Sequence, residues 1–158
     1  MRGEWTSAGG ILSVTQDDAL YKKYKNHGPI VFYDLPLGDS KISFEVKLAD
    51  AKRFVFTLNG AKGHVFRLLQ QADGGVALAF ADVDGKHVSK RMDESVPAVV
   101  NGEWVRYQIE NRGEQVSIHV GDAFRKTVRD ASYGKEKTNL SLSFHFGTMQ
   151  VRNLSVEP

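Results

Sequence analysis

The chain has 158 residues, 41% hydrophobic and 25% charged, which supports one globular core and excludes a disordered, collagenous or low-complexity chain. Its formal net charge of +2, from 21 basic and 19 acidic residues, offers no basic field for nucleic acid, and the absence of cysteine excludes disulfides, thiolate zinc sites and cysteine nucleophiles. No apolar run approaches the roughly 20 residues of a spanning helix, so membrane insertion is not expected.

Met1-Arg2-Gly3-Glu4-Trp5 leads directly into strand-like sequence, without the basic segment, apolar stretch and cleavage site of a secretory leader. The expectation is an extracytoplasmic domain, periplasmic or secreted, cut from a larger polypeptide with its leader removed. Tyr21 and Tyr24 interleave with Lys22, Lys23 and Lys25, superficially like an RNA-stacking surface. The plainer reading is an edge strand whose solvated lysines discourage strand addition.

Further along, Asn26-His27-Gly28-Pro29, Leu37-Gly38-Asp39, Asn59-Gly60, Asp73-Gly74-Gly75, Asp84-Gly85, Asn101-Gly102, Asn111-Arg112-Gly113 and Gly121-Asp122 recur as turn signals. Asn-Gly and Asp-Gly supply the positive φ that tight hairpins require. The runs between them have strand length and no sustained 3.6-residue period. Phe54, Phe56 and Leu58 alternate with Val55, Thr57 and Asn59; Val105, Tyr107 and Ile109 with Trp104, Arg106 and Gln108; Val116, Ile118 and Val120 with Ser117 and His119. The cleanest period-two pattern is Leu140, Leu142, Phe144 and Phe146 against Ser141, Ser143 and His145. Residues 86–100 carry the weakest pattern and read as a long connection or an irregular strand. Many short strands at this spacing predict one all-β domain over residues 1–158, a jelly-roll sandwich of two antiparallel sheets with one polar, slightly concave face.

Chemistry is harder to read. Glycoside cleavage needs two carboxylates converging on one point, and no strand carries acids at alternate positions; Glu45 has no acidic neighbour two residues on, and Glu110 and Glu114 flank a turn. The five histidines, His27, His64, His87, His119 and His145, show no metal-motif spacing. Regular alternation would put His64 and Arg67 on opposite faces, so a joint site there requires a bulge. Asp82 and Asp84 could offer oxygens to calcium, as could Asp17-Asp18, but a plain Asp-Gly hairpin accounts for the former pair more simply. No cofactor or metal is expected, and phosphate loops, dinucleotide fingerprints and nucleophile elbows are missing. Trp5 and Trp104 are candidate sugar-stacking rings, although tryptophan at a strand start more often packs at a sandwich edge.

Gly102-Glu103-Trp104-Val105-Arg106-Tyr107, the strand Val116-Ser117-Ile118-His119-Val120-Gly121 and the closing Val151-Arg152-Asn153-Leu154 resemble the C-terminal half of a concanavalin A-like lectin/glucanase domain. More narrowly they are similar to its 3-keto-disaccharide hydrolase-like branch, and Glu4-Trp5 with Gly9-Gly10-Ile11-Leu12-Ser13 fits the first hairpin of such domains. The middle departs from the branch, with Asn59-Gly60-Ala61-Lys62-Gly63-His64 where that family has Asn-Ser-Gly, and Arg67-Leu68-Leu69-Gln70 in place of a downstream Glu-x-Gln. The resemblance implies a carbohydrate partner. Together with face alternation it points to Asn59, Arg67, Gln71 and His145, assisted by His64, as ligand-binding residues, and assigns no catalytic one. Saccharide binding leads, a glycoside hydrolase acting on (3-keto-)disaccharides is the alternative, and a structural or protein-interaction sandwich is the third reading.

Overall fold

The computed structural model describes all residues, 1–158. Two antiparallel sheets face each other. One has seven strands in the order β1 (Thr6–Ala8), β2 (Ile11–Thr15), β13 (Thr148–Glu157), β4 (Ser40–Ala49), β9 (Trp104–Arg112), β10 (Gln115–Val120) and β11 (Phe124–Arg129). The other has six, in the order β3 (Ile30–Leu37), β12 (Lys137–His145), β5 (Arg53–Gly60), β6 (Gly63–Gln71), β7 (Gly74–Val83) and β8 (Lys86–Asp93). This is the jelly-roll sandwich that the turn spacing implied, with β5–β8 consecutive in one sheet, β1–β2 and β9–β11 consecutive in the other, and the chain crossing between sheets elsewhere.

The alternating strands each bury their apolar side. Phe54, Phe56 and Leu58 of β5, Leu140, Leu142 and Phe144 of β12, and Tyr107 and Ile109 of β9 all lie in one continuous core. At its centre Phe44 stacks on Tyr107, with ring centroids 5.1 Å apart, and on Phe56 at 5.4 Å. Burying each such ring contributes about 2 to 3 kcal/mol. The Tyr107 hydroxyl donates to Gln70 Oε1 at 2.7 Å, and Gln70 Nε2 donates in turn to the carbonyl of Pro97 at 3.0 Å. This buried polar pair reaching across the sandwich is therefore satisfied, as burial demands.

One expectation is corrected. The segment read as a lysine-rich edge strand is instead a short helix, α1 (Asp18–Lys23), with Asp17 at its N-cap accepting from the Leu20 amide at 2.8 Å. Six residues cannot display an amphipathic period, and the cap, not the periodicity, was the available signal. The indistinct stretch 86–100, read as a long connection or an irregular strand, divides into a strand, β8, whose register against β7 shifts near its end, and a coil after it; β8 is an exposed edge strand, so neither of its faces carries a strong apolar pattern. After α1, Lys25 and Asn26 adopt positive φ of 55° and 62° and turn the chain back onto the six-stranded sheet. Gly28 lands so close to it that a Cβ there would sit 1.9 Å from the Phe144 carbonyl oxygen. At the N-terminus, Arg2 and Ile30 exchange backbone hydrogen bonds of 2.9 and 3.1 Å, which ties the first residues to the edge beside β3.

Candidate functional site

Across the outer face of the six-stranded sheet the register sets Phe32, Ser141, Thr57 and Arg67 side by side on β3, β12, β5 and β6. The next row on one side carries Ile30, Ser143, Val55 and Leu69. Beyond it stand His145, Arg53 and Gln71, and on the other side Asn139, Asn59 and His64. A cavity of about 540 Å³ lies over these rows, closed at one end by Arg2, Asn26, His27 and Gly28 from the segments flanking α1. Its size falls within the usual range for small-ligand sites.

The local feature that builds the site is a β-bulge. Leu58 pairs with Phe66 while Asn59 pairs with His64, so Val65 is the extra residue, tucked inward and buried. One inserted residue reverses side-chain parity beyond it. His64 and Arg67 consequently share the outer face, with Arg67 Nη2 2.7 Å from His64 Nε2. The bulge that alternation demanded for a joint site is present.

A directed hydrogen-bond chain runs through this corner. Arg67 can only donate, so His64 Nε2 accepts and the imidazole proton resides on Nδ1. Nδ1 donates to Asn59 Oδ1 at 2.7 Å, and Asn59 Nδ2 donates to Asn139 Oδ1 at 2.8 Å. Arg67 Nε also donates to Thr57 Oγ1 at 3.2 Å, and the guanidinium lies 5.5 Å from the ring centre of Phe80. His64 is pushed down to about 4, first by burial and then by the neighbouring charges of Arg67 and His87, so it is neutral at pH 7. His145 is likewise held at about 4 by burial, followed by Arg53, His27 and Arg2. Burial, then Arg53, also lowers Arg67.

Of the five sequence-predicted site residues, Asn59, His64, Arg67 and His145 line the cavity, and Gln71 does not, although its register partner Arg53 does. His64 spends both ring nitrogens on Arg67 and Asn59, so it holds the guanidinium in place instead of meeting a ligand itself. The cavity also gathers Arg2, Arg53 and His27, which sequence reading passed over. Arg53 begins a strand whose alternation predicted its face; Arg2 and His27 lie far away in sequence and join only through the fold.

The remaining candidates lie elsewhere. Trp104 sits on the seven-stranded sheet with the Arg152 guanidinium 4.0 Å from its ring centre, and Trp5 Nε1 donates to the Arg2 carbonyl at 2.7 Å. The exposed ring on the cavity wall is Phe32. Asp82 accepts from His87 Nδ1 at 3.0 Å beside the Asp84-Gly85 turn, where positive φ of 50° and 76° marks the expected hairpin. His119 faces out from the seven-stranded sheet.

No protein-family model matches the chain, and no curated protein sequence matches it. Solved structures do resemble it. A carbohydrate-binding module, CBM66 from Bacillus subtilis, superposes with a TM-score of 0.68 at 13% identity over 99% of this chain and 92% of its own. Chicken galectin 2 gives 0.62 at 14% identity over 80% and 96%, and congerin II, solved with lactose and MES, gives 0.62 at 12% identity over 82% and 100%. At these identities the likeness establishes the jelly-roll fold.

Proposed function

We propose that this domain binds a saccharide in the cavity on the outer face of its six-stranded sheet. The observation that carries the reading is the hydrogen-bond chain Arg67–His64–Asn59–Asn139, which fixes a guanidinium on the cavity floor with donors left over. Preorganised donors suit sugar hydroxyls, because a ligand then need not pay to order them. The Ser141 and Ser143 hydroxyls stand beside it and can both donate and accept, while Ile30, Val55, Leu69 and the exposed Phe32 ring give an apolar strip for the C–H face of a pyranose. The sandwich likeness to a carbohydrate-binding module and to galectins supports the same reading by analogy of fold.

Hydrolysis of (3-keto-)disaccharides, the finer expectation, fits this cavity poorly. No aspartate or glutamate lines it, so it offers neither member of the carboxylate pair that glycoside cleavage commonly uses. His64, the leading base candidate, has its free lone pair occupied by Arg67. The test is a titration with a panel of mono-, di- and 3-keto-oligosaccharides, following amide shifts by NMR and product release in the same tubes. Shifts on β5, β6 and β12 without product are the expected result. Product would establish a hydrolase, and a panel with no shifts would leave a structural or protein-binding sandwich.

A further inference from the structure

Resting on that reading, we infer that the saccharide is anionic: the cavity is built to take a sugar bearing a carboxylate or sulfate group. Its charged and titratable lining consists of Arg2, Arg53, Arg67, His27, His64 and His145, with no acidic residue among them. None of the three arginines forms an ion pair with any carboxylate of the chain. Asp17 shares the narrow crevice next door with Arg2, where its Oδ1 caps α1 and no ion pair to Arg2 forms.

Elsewhere some of the cations are matched. On the seven-stranded sheet Arg152 pairs with Glu45, Lys41 with Glu157 and Arg112 with Glu110. The chain carries 19 acids, and none of them lines the cavity. Three unmatched guanidinium groups around one hollow repel each other, and partial exclusion of water strengthens that repulsion. An anion relieves it.

A second observation points the same way. Arg2 Nε is buried and has no hydrogen-bond partner, and a charged donor left unsatisfied is costly. The backbone pairing of Arg2 with Ile30 holds this residue at the cavity end, opposite Arg67 on the floor. Guanidinium groups bind planar carboxylates through paired parallel hydrogen bonds and also match sulfate oxygens. The serine hydroxyls and the Phe32 ring between the charges are left for the sugar itself.

The experiment compares trigalacturonate, its fully methyl-esterified form and a sulfated galactan trisaccharide, each titrated into the intact chain and into Arg53→Gln, with amide shifts giving both site and affinity. The expected result is binding of trigalacturonate at the cavity, weakened roughly tenfold or more by esterification and weakened again by raising salt from about 0.05 M to about 0.5 M. In Arg53→Gln, whose spectrum is otherwise native, the advantage of acid over ester shrinks. Binding of the sulfated sugar in place of the uronate supports the inference and assigns sulfate as the anion. Equal binding of acid and ester, with no dependence on salt, overturns the anionic preference and leaves saccharide binding standing. If no saccharide of either kind moves the cavity amides, the saccharide reading falls and this inference with it.

Discussion

Replacing Arg67 by methionine tests the electrostatics of the site through a single proton. Protonating His64 Nε2 would place a cation against Arg67 Nη2, 2.7 Å away, and replace an attractive N–H···N contact with repulsion. Burial is nonetheless the larger cause of the fall of His64 from 6.5 to about 4, and Arg67 is the second. Removing the guanidinium therefore returns less than half of the fall, roughly one pH unit or about 1.4 kcal/mol. An imidazole-resolved NMR titration of Arg67→Met should find the His64 midpoint near 5, still below an exposed histidine. His145 is the internal control, since burial first and then Arg53, His27 and Arg2 depress it and Arg67 does not figure among its causes. In the parent protein, the ring nitrogen shifts should also place the neutral proton on Nδ1. A His64 midpoint that does not move refutes the proposed contact. Equal upward movement of both histidines would mean general loosening of the sheet and refute the local account.

Stability should fall with acid through the same two rings. His64 and His145 titrate near 4 in the folded protein and near 6.5 once unfolded, so below pH 6.5 the unfolded chain takes up protons first and the folded state loses ground until about pH 4. Both rings are half-exposed, and allowing for solvent screening each contributes about 1 to 2 kcal/mol to that loss; the fall in melting temperature between pH 7 and pH 4.5 should be smaller in His145→Gln than in the parent protein. Tyr107→Phe leaves Gln70 Oε1 buried without its donor, at a cost of about 1 to 3 kcal/mol in a urea melt, with no change in ligand affinity; a neutral result would show that Gln70 finds another partner. Gly28→Ala sets a methyl group against the Phe144 carbonyl and the His145 ring, so it should destabilise by about 1 to 3 kcal/mol and weaken ligand binding as well, and a native-like melting temperature would contradict the close approach.

The sandwich was legible in the sequence because two independent signals agreed. Period-two alternation marked β5, β9, β10 and β12, and Asn-Gly or Asp-Gly pairs marked several of the turns joining strands. The site was legible only as far as parity held. Asn59 and His145 followed from unbroken alternation, whereas His64 depended on whether a residue was inserted between it and Phe66. Nothing in Gly63-His64-Val65-Phe66-Arg67 distinguishes a bulged strand from a regular one, because Val65 and Phe66 are both apolar and either parity buries one of them. Gln71 illustrates the opposite error: its face is right and it shares the row of His145 and Arg53, yet unlike them it does not line the cavity. Arg2 carries no local pattern, and His27 shows only a turn signal. They reach the site through a backbone bridge to Ile30 and a left-handed turn at Lys25 and Asn26.

The two outer faces of the sandwich show why polarity alone does not locate a site. Both alternate apolar and polar residues, and the seven-stranded sheet is the richer in charge, with Lys41, Glu45, Arg106, Glu110 and Arg152 among its outward residues. Several of those charges are matched across strands, and its one tryptophan is covered by a guanidinium. Cross-strand pairs of this kind stabilise a sheet by a few tenths of a kcal/mol to about 1 kcal/mol each and leave little potential for a ligand. The cavity on the six-stranded face has the reverse arrangement: its neutral polar groups are joined into a chain that immobilises Arg67, while its arginines form no ion pair. Stability would be better served by an aspartate at Thr57 or Ser143, which would sit among the cavity arginines. Such a substitution, Ser143→Asp, should therefore raise the melting temperature while abolishing binding of an anionic saccharide. A variant that gained stability and kept its affinity would show that the unmatched charges have no part in recognition.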